Sequence, residues 1–286
     1  MRIIDLDGSV TSQPLFRQKI ATGEAQCLSM PDLGPALRLW GTRQAMVAFA
    51  ERLAQAPSPP GCGVNITFLG SGDFHHLCPL LLTALLEPVT LLHFDNHPDW
   101  TRFAPRTHCG AWVNRALELP LVARVVTLGP CSRDLLYPYF KGANLAALRQ
   151  GRLHLFPWRP PPRRGGSLPA WRCVADDWEP FLDTLLASLP TEAVWVSIDK
   201  DVLRPEDAIT NWDQGRMPLS ALLVALRRIR AARRLLGVDI CGEFAPIRHP
   251  NLLKRLESWL DQPSLPMAPD LTRNAVTNAA ILAVFE

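Results

Sequence analysis

The sequence predicts an α/β protein: a central, mostly parallel sheet covered by helices on both faces. Three observations carry this. Short apolar runs rich in β-branched and aromatic residues recur, helix-period patterns lie between them, and polar residues capable of chemistry cluster just after the runs. The runs at 1–5, 64–69, 89–94, 123–128, 153–156, 193–198, 235–240 and 281–285 are continuous rather than alternating, so they read as strands buried on both faces. Helical periodicity falls at 43–54, 77–86, 111–118, 145–149, 178–189 and 219–234. Strands and helices in this order give parallel pairing, and ligands collect beyond the carboxyl ends of such strands. Two proline-rich stretches, 56–63 and 157–169, read as loops. The alternation resumes after the second, so residues 1–286 are expected to form a single domain.

Composition narrows the function classes. Of the 286 residues, 48% are hydrophobic, enough for a sizeable core, and the net charge of +3 gives no electrostatic case for nucleic acid or a membrane surface. The arginine cluster at 227–234 reads as a solvated helix face. The longest apolar stretch, 80–86, is too short to span a bilayer, and residues 1–5 read as a strand rather than a leader. Seven cysteines with no Cys-x-x-Cys argue for a reducing compartment, hence a cytoplasmic protein, and against a disulfide framework. Cys109, beside His108, reads as a bystander thiol.

Four polar clusters follow expected strands: 70–76 (Gly-Ser-Gly-Asp-Phe-His-His), 95–100 (Asp-Asn-His-Pro-Asp-Trp), 197–201 (Ser-Ile-Asp-Lys-Asp) and 239–243 (Asp-Ile-Cys-Gly-Glu). Asp95-x-His97-x-Asp99 at a strand end aims alternate side chains one way, and Asp199-x-Asp201 repeats the device. With a histidine from the first cluster, this makes four carboxylates and two imidazoles. So many carboxylates repel one another unless cations relieve them. Two divalent ions would do so, and an oxygen-rich set with some imidazole suits Mn²⁺.

These motifs, in this order across residues 64–246, resemble the arginase/agmatinase/formiminoglutamase (ureohydrolase) superfamily, of which the chain reads as a divergent member. The resemblance implies a three-layer α/β/α fold and two Mn²⁺ per chain. Asp95 and Asp199 would bridge the ions, His75 would bind one and His97 the other, and Asp99 and Asp201 would complete the shells. His108 would match the active-site histidine, and Glu243 the carboxylate that holds the substrate's guanidinium. Several positions depart from the family's pattern. Asn96 replaces a small residue, and the segment 210–215 replaces a glycine-rich one. Two neighbouring histidines leave His76 as an alternative ligand to His75. Arg102 and Arg106 stand where an amino acid's carboxylate would be held, so they are candidates for a substrate anion.

The implied chemistry is attack of a metal-activated hydroxide on a guanidino, amidino or formimino carbon, releasing urea or a related amide plus an amine. Asp99 would carry a proton to the leaving amine, and His108 would exchange it with solvent. Expected partners are a small guanidino or amidino compound or a peptidyl arginine, with neither nucleic acid nor membrane; members of the family it resembles are often homo-oligomers, and the sequence leaves this chain's oligomeric state open. Two other readings stand beside this one. A zinc-dependent deacetylase of the same fold would use His75-His76 as an acid/base pair. A non-catalytic protein would keep the metal for folding alone.

Overall fold

The structure is a computed structural model that describes residues 1–59, 63–102, 107–139, 142–159, 171–246, 249–263 and 269–286. The chain begins β1 (Arg2–Asp5), α1 (Pro14–Ala21), β2 (Gln26–Ser29), α2 (Gly34–Leu37), β3 (Trp40–Gly41), α3 (Arg43–Gln55) and β4 (Asn65–Phe68). It continues through α4 (Cys78–Leu82), β5 (Val89–Phe94), β6 (Thr107–His108), α5 (Trp112–Glu118), β7 (Val122–Leu128), α6 (Leu145–Arg149) and β8 (Leu153–Phe156). The last third holds α7 (Trp178–Ala187), β9 (Ala193–Asp199), α8 (Leu219–Ala232), β10 (Arg234–Cys241), α9 (Leu252–Asp261) and α10 (Thr272–Phe285).

Eight strands form one sheet in the order β2-β1-β4-β10-β9-β5-β7-β8, and every pairing is parallel. β3 and β6 make a separate antiparallel pair. Alternation along the strands feeds two cores. Leu92 and Phe94 of β5 pack on one face with residues of α1, α7, α8 and α10. Val89 and Leu91 pack on the other with residues of α3, α4, α5 and α6. The result is the three-layer α/β/α arrangement expected from the sequence. Among the described residues, no helix is long and apolar enough to cross a membrane.

One expected strand is corrected. Residues 281–285 form the last turns of α10, not a strand. Asn274, Thr277, Asn278, Ile281 and Leu282 are all buried, a helical spacing of three and four. Three of those five are polar, so only the apolar end of the stripe shows in the hydropathy pattern.

Candidate metal centre

β4, β10, β9 and β5 are neighbours in the middle of the sheet, and the polar clusters leave their carboxyl ends together. β5 runs into Asp95, and the turn that follows holds Asp99 at φ 46°, left-handed and uncommon for a residue other than glycine. Trp112 of α5 fixes the returned carboxyl by donating Nε1–H to Asp99 Oδ2 at 2.6 Å. β9 ends at Asp199, which accepts the Asp201 N–H at 3.0 Å, and Asp201 in turn accepts the Asn96 N–H at 2.9 Å. The ends of β5 and β9 are thereby tied together. A side chain at Gly72 or Gly242 would collide with the Asp199 carboxylate, and Gly242 also has φ 84°. These two glycines let the neighbouring backbones close around Asp199.

His75 arrives on the 3₁₀ turn Gly72–Leu77 after β4. Its Nε2 lies 2.8 Å from Ser197 Oγ, and Ser197 donates its hydroxyl to Asp239 Oδ1 at 2.7 Å. Trp195 Nε1 and Cys78 Sγ also donate to Asp239, at 2.6 and 3.2 Å. Since the serine proton is committed to Asp239, His75 must donate from Nε2, which leaves the Nδ1 lone pair exposed to the site. Nδ1 is buried without a hydrogen bond, yet carboxylate oxygens of Asp95, Asp99 and Asp199 stand 3.2, 3.6 and 3.7 Å from it. A lone pair facing three anionic oxygens is repulsive unless a cation sits among them. Neighbouring ligands around an ion with bonds of about 2.1 Å stand about 3.0–3.4 Å apart, so this spacing fits one after a small contraction.

His97 repeats the arrangement nearer the surface. Nδ1 faces Asp201 Oδ2 at 2.9 Å and Asp95 Oδ1 at 3.5 Å, and Nε2 meets Asp213 Oδ1 at 2.8 Å. His93 supports the inner half by bonding Thr127 through Nδ1 (3.1 Å) and Asp95 Oδ2 through Nε2 (2.9 Å).

The electrostatics of the cluster favour added positive charge. Burial, then the charge of Asp95, raises the Asp99 carboxyl well above the ordinary range and raises Asp199 too, while burial with Asp199 and Asp95 does the same to Asp201. Asp95 is held well below it, because His93, His75 and His97 outweigh the cost of burial. Burial works against the charged form of both imidazoles, but Asp95 and Asp199 raise His75, and Asp213 and Asp201 raise His97 strongly. Without ions, the cluster gathers protons in their place.

The site opens into a cavity of about 550 Å³ lined by Asp95, Asp99, Asp134, Asp199, Asp201, Asp213 and Asp261, with Arg133 the one arginine or lysine on its wall among the described residues. Seven aspartates against one such residue give the described wall an acidic lining.

No protein-family model matches the chain. An uncharacterized protein of Thermotoga maritima is 32% identical over 184 residues, which span 64% of this chain and 60% of that protein's length. Among solved structures, Entamoeba histolytica arginase superimposes with a TM-score of 0.61 over 99% of this chain and 96% of its own, at 14% identity. Bacillus caldovelox arginase gives 0.61 over 99% and 97%, at 13% identity. Formimidoylglutamase from Bacillus subtilis gives 0.53 over 85% and 65%, at 16% identity.

The chain has the arginase (ureohydrolase) fold. On that frame the structure brings His75, Asp95, His97, Asp99, Asp199 and Asp201 to one point, and it separates the two neighbouring histidines. His76 is fully buried with neither ring nitrogen hydrogen-bonded, and burial pushes its pKa well down. Neither of the two is among the described residues that line the cavity, and what separates them is that His75 Nδ1 faces Asp95, Asp99 and Asp199.

Three further expectations fare differently on the arginase fold. Glu243 does not line the cavity. It is buried and engaged by Lys200 Nζ, Asn278 Nδ2 (2.6 Å) and Asn274 Nδ2 (2.9 Å), so the carboxylate expected to hold a substrate cation already holds an internal one. Arg102 also stays off the cavity wall and donates to Asn144 Oδ1 at 3.1 Å, while Arg106 lies outside the described residues. His108 does line the cavity. Its Nδ1 accepts the Gly110 N–H at 2.9 Å and its Nε2 meets Glu257 Oε1 at 2.9 Å. Burial, with Asp73 and Asp99, holds the Cys109 thiol well above its ordinary pKa, as suits a bystander.

The sequence reading leaves His93, Asp213, Asp239 and Trp112 without roles. Only His93 carries a local signal, because it sits two residues before Asp95 on the same strand face.

Proposed function

We propose that the protein is a metal-dependent hydrolase acting on the planar carbon of a guanidino, amidino or formimino cation. The observation that carries this reading is the His75 Nδ1 lone pair, oriented by Ser197 and Asp239 toward three carboxylates. His75, Asp95, Asp99 and Asp199 would hold one divalent ion, and His97, Asp95, Asp199 and Asp201 the second. The donor set of carboxylates and two imidazoles suits Mn²⁺. When bound, such a pair of ions lowers the pKa of water between them, so that a nucleophile exists near neutral pH.

The chain's own residues supply the rest. The acidic cavity draws in the cationic head and orients it. Glu243 is engaged by Lys200, so that contact would fall to carboxylates of the cavity wall, such as Asp213 beside His97. Asp99, fixed through Oδ2 by Trp112, has Oδ1 to carry a proton to the leaving amine. His108, backed by Glu257, stands at the cavity wall to exchange that proton with solvent. The deciding experiment loads metal-stripped protein with Mn²⁺, counts bound ions, and assays arginine, agmatine, other guanidino acids, formimino compounds and arginyl peptides for urea or amide release. Two ions per chain with metal-dependent release is the expected result. Protein that binds no divalent ion would refute the reading.

A further inference from the structure

α9 is built inside out. Its buried face is polar: Lys254 donates Nζ–H to Pro35 O and Ala36 O at 3.1 and 2.9 Å and lies 4.4 Å over the Trp40 ring. Glu257 accepts Trp40 Nε1 at 2.6 Å, and Gln262, just past the helix, donates to Asp73 Oδ1 at 2.8 Å. Its outer face is apolar. Leu252, Leu253, Leu256, Trp259 and Leu260 are all exposed, Trp259 at 77% and Leu260 at 65%. At spacings of three and four they form one stripe about 12 Å long, from a rise of about 1.5 Å per residue.

The stripe is continuous with the metal-site cavity. Leu260 belongs to both, and Asp261, Gln262 and Pro263 carry the wall inward toward the aspartates. Glu257 also ties the helix to His108 on that wall at 2.9 Å. The polar anchors fix the helix with its apolar row turned outward, so the row is displayed rather than left over from packing.

We infer that the substrate of this site is an amphiphile: a cationic amidine or guanidine head joined to an unbranched apolar chain that lies along α9. The amidine-hydrolase reading is taken here for the acidic end. The charge of the cavity selects the head, and the stripe adjoining its mouth matches a chain of about eight to ten carbons, given its length of about 12 Å.

Two measurements on Mn²⁺-loaded protein test this, both over a series from methyl to dodecyl: calorimetric binding of alkylamines, and urea release from alkylguanidines. Affinity and kcat/KM should rise about twofold per methylene, about half the gain of full burial because one side of the chain stays open to water, and level off near ten carbons. Leu256→Ser with Trp259→Ser, at exposed positions that leave the core intact, should flatten both series. A flat series in the parent protein overturns the inference while leaving hydrolysis of short guanidines standing. Chain-length-dependent amine binding without any urea release removes the amidine-hydrolase reading and keeps the amphiphile. If the double variant instead splits a dimer in sedimentation, or abolishes flotation with phosphatidylcholine vesicles, with the parent series flat, the stripe is an interface and the inference fails.

Discussion

His75 and His97 make the same two kinds of contact in unlike surroundings. Each turns Nδ1 to Asp95 and to carboxylates of its own half, and Nε2 toward an outer carboxylate. For His75 that outer partner is Asp239, fully buried, reached through Ser197 and held by Trp195 and Cys78. For His97 it is Asp213, whose side chain is 54% exposed, and the imidazole itself is 16% exposed against 1% for His75. A buried hydrogen-bonded carboxylate orients and polarises an imidazole far more than one facing water does. One half of the centre is therefore prebuilt, and the other is open to exchange with solvent.

The largest effect should come from the residues common to both halves. Asp95→Ala or Asp199→Ala should remove both ions and reduce turnover to background, checked by elemental analysis beside urea release. If either variant kept one full equivalent of metal, the halves would not share these ligands. Next, Asp239→Asn or Ser197→Ala should weaken the tighter of two metal-binding steps by about 10- to 100-fold in calorimetric titration, because the His75 tautomer is no longer fixed. Asp213→Asn should act on the weaker step alone and at the low end of that range, about tenfold. An equal loss from Asp239→Asn and Asp213→Asn would erase the distinction between the halves.

The smallest effect concerns acidity. Without ions, His75, His97, Asp99, Asp199 and Asp201 all have raised pKa values, so the folded chain binds protons more readily than the unfolded one. Stability then falls as pH rises from about 4 through neutrality. Asp95 has the opposite sign below the ordinary carboxylate range, and His76 and His93, whose pKa values burial lowers, have the opposite sign around neutral pH. Between pH 5.5 and pH 8, metal-stripped protein should lose more melting temperature than Mn²⁺-loaded protein, by about 2–4 °C for each 1 kcal/mol of difference. Asp213→Asn, by removing a carboxylate that raises His97, should flatten the slope in calorimetric scans.

Much of this was legible in the sequence, because continuous apolar runs mark central parallel strands whatever else surrounds them. β5 and β8 coincide with runs 89–94 and 153–156, and β9 and β10 extend past theirs by one residue or two. Ligand clusters were legible because strand ends converge by topology. Hydropathy fails where burial and polarity part company. α9 hides its polar residues and shows its leucines, and α10 buries Asn274 and Asn278. Partner choice is the other blind spot. Nothing local to Glu243 shows that Lys200, 43 residues earlier, reaches it, and nothing at 75–76 says which imidazole the 3₁₀ turn aims inward.

Lys200 sits between Asp199 and Asp201, and its ammonium rests on a carboxylate that two asparagines of α10 hold in place. The carboxyl end of β9 therefore depends for its shape on residues 272–285. On the metal-dependent reading, a chain that ends short of α10 would lack the asparagines that hold this carboxylate, and with them the setting of Asp199 and Asp201.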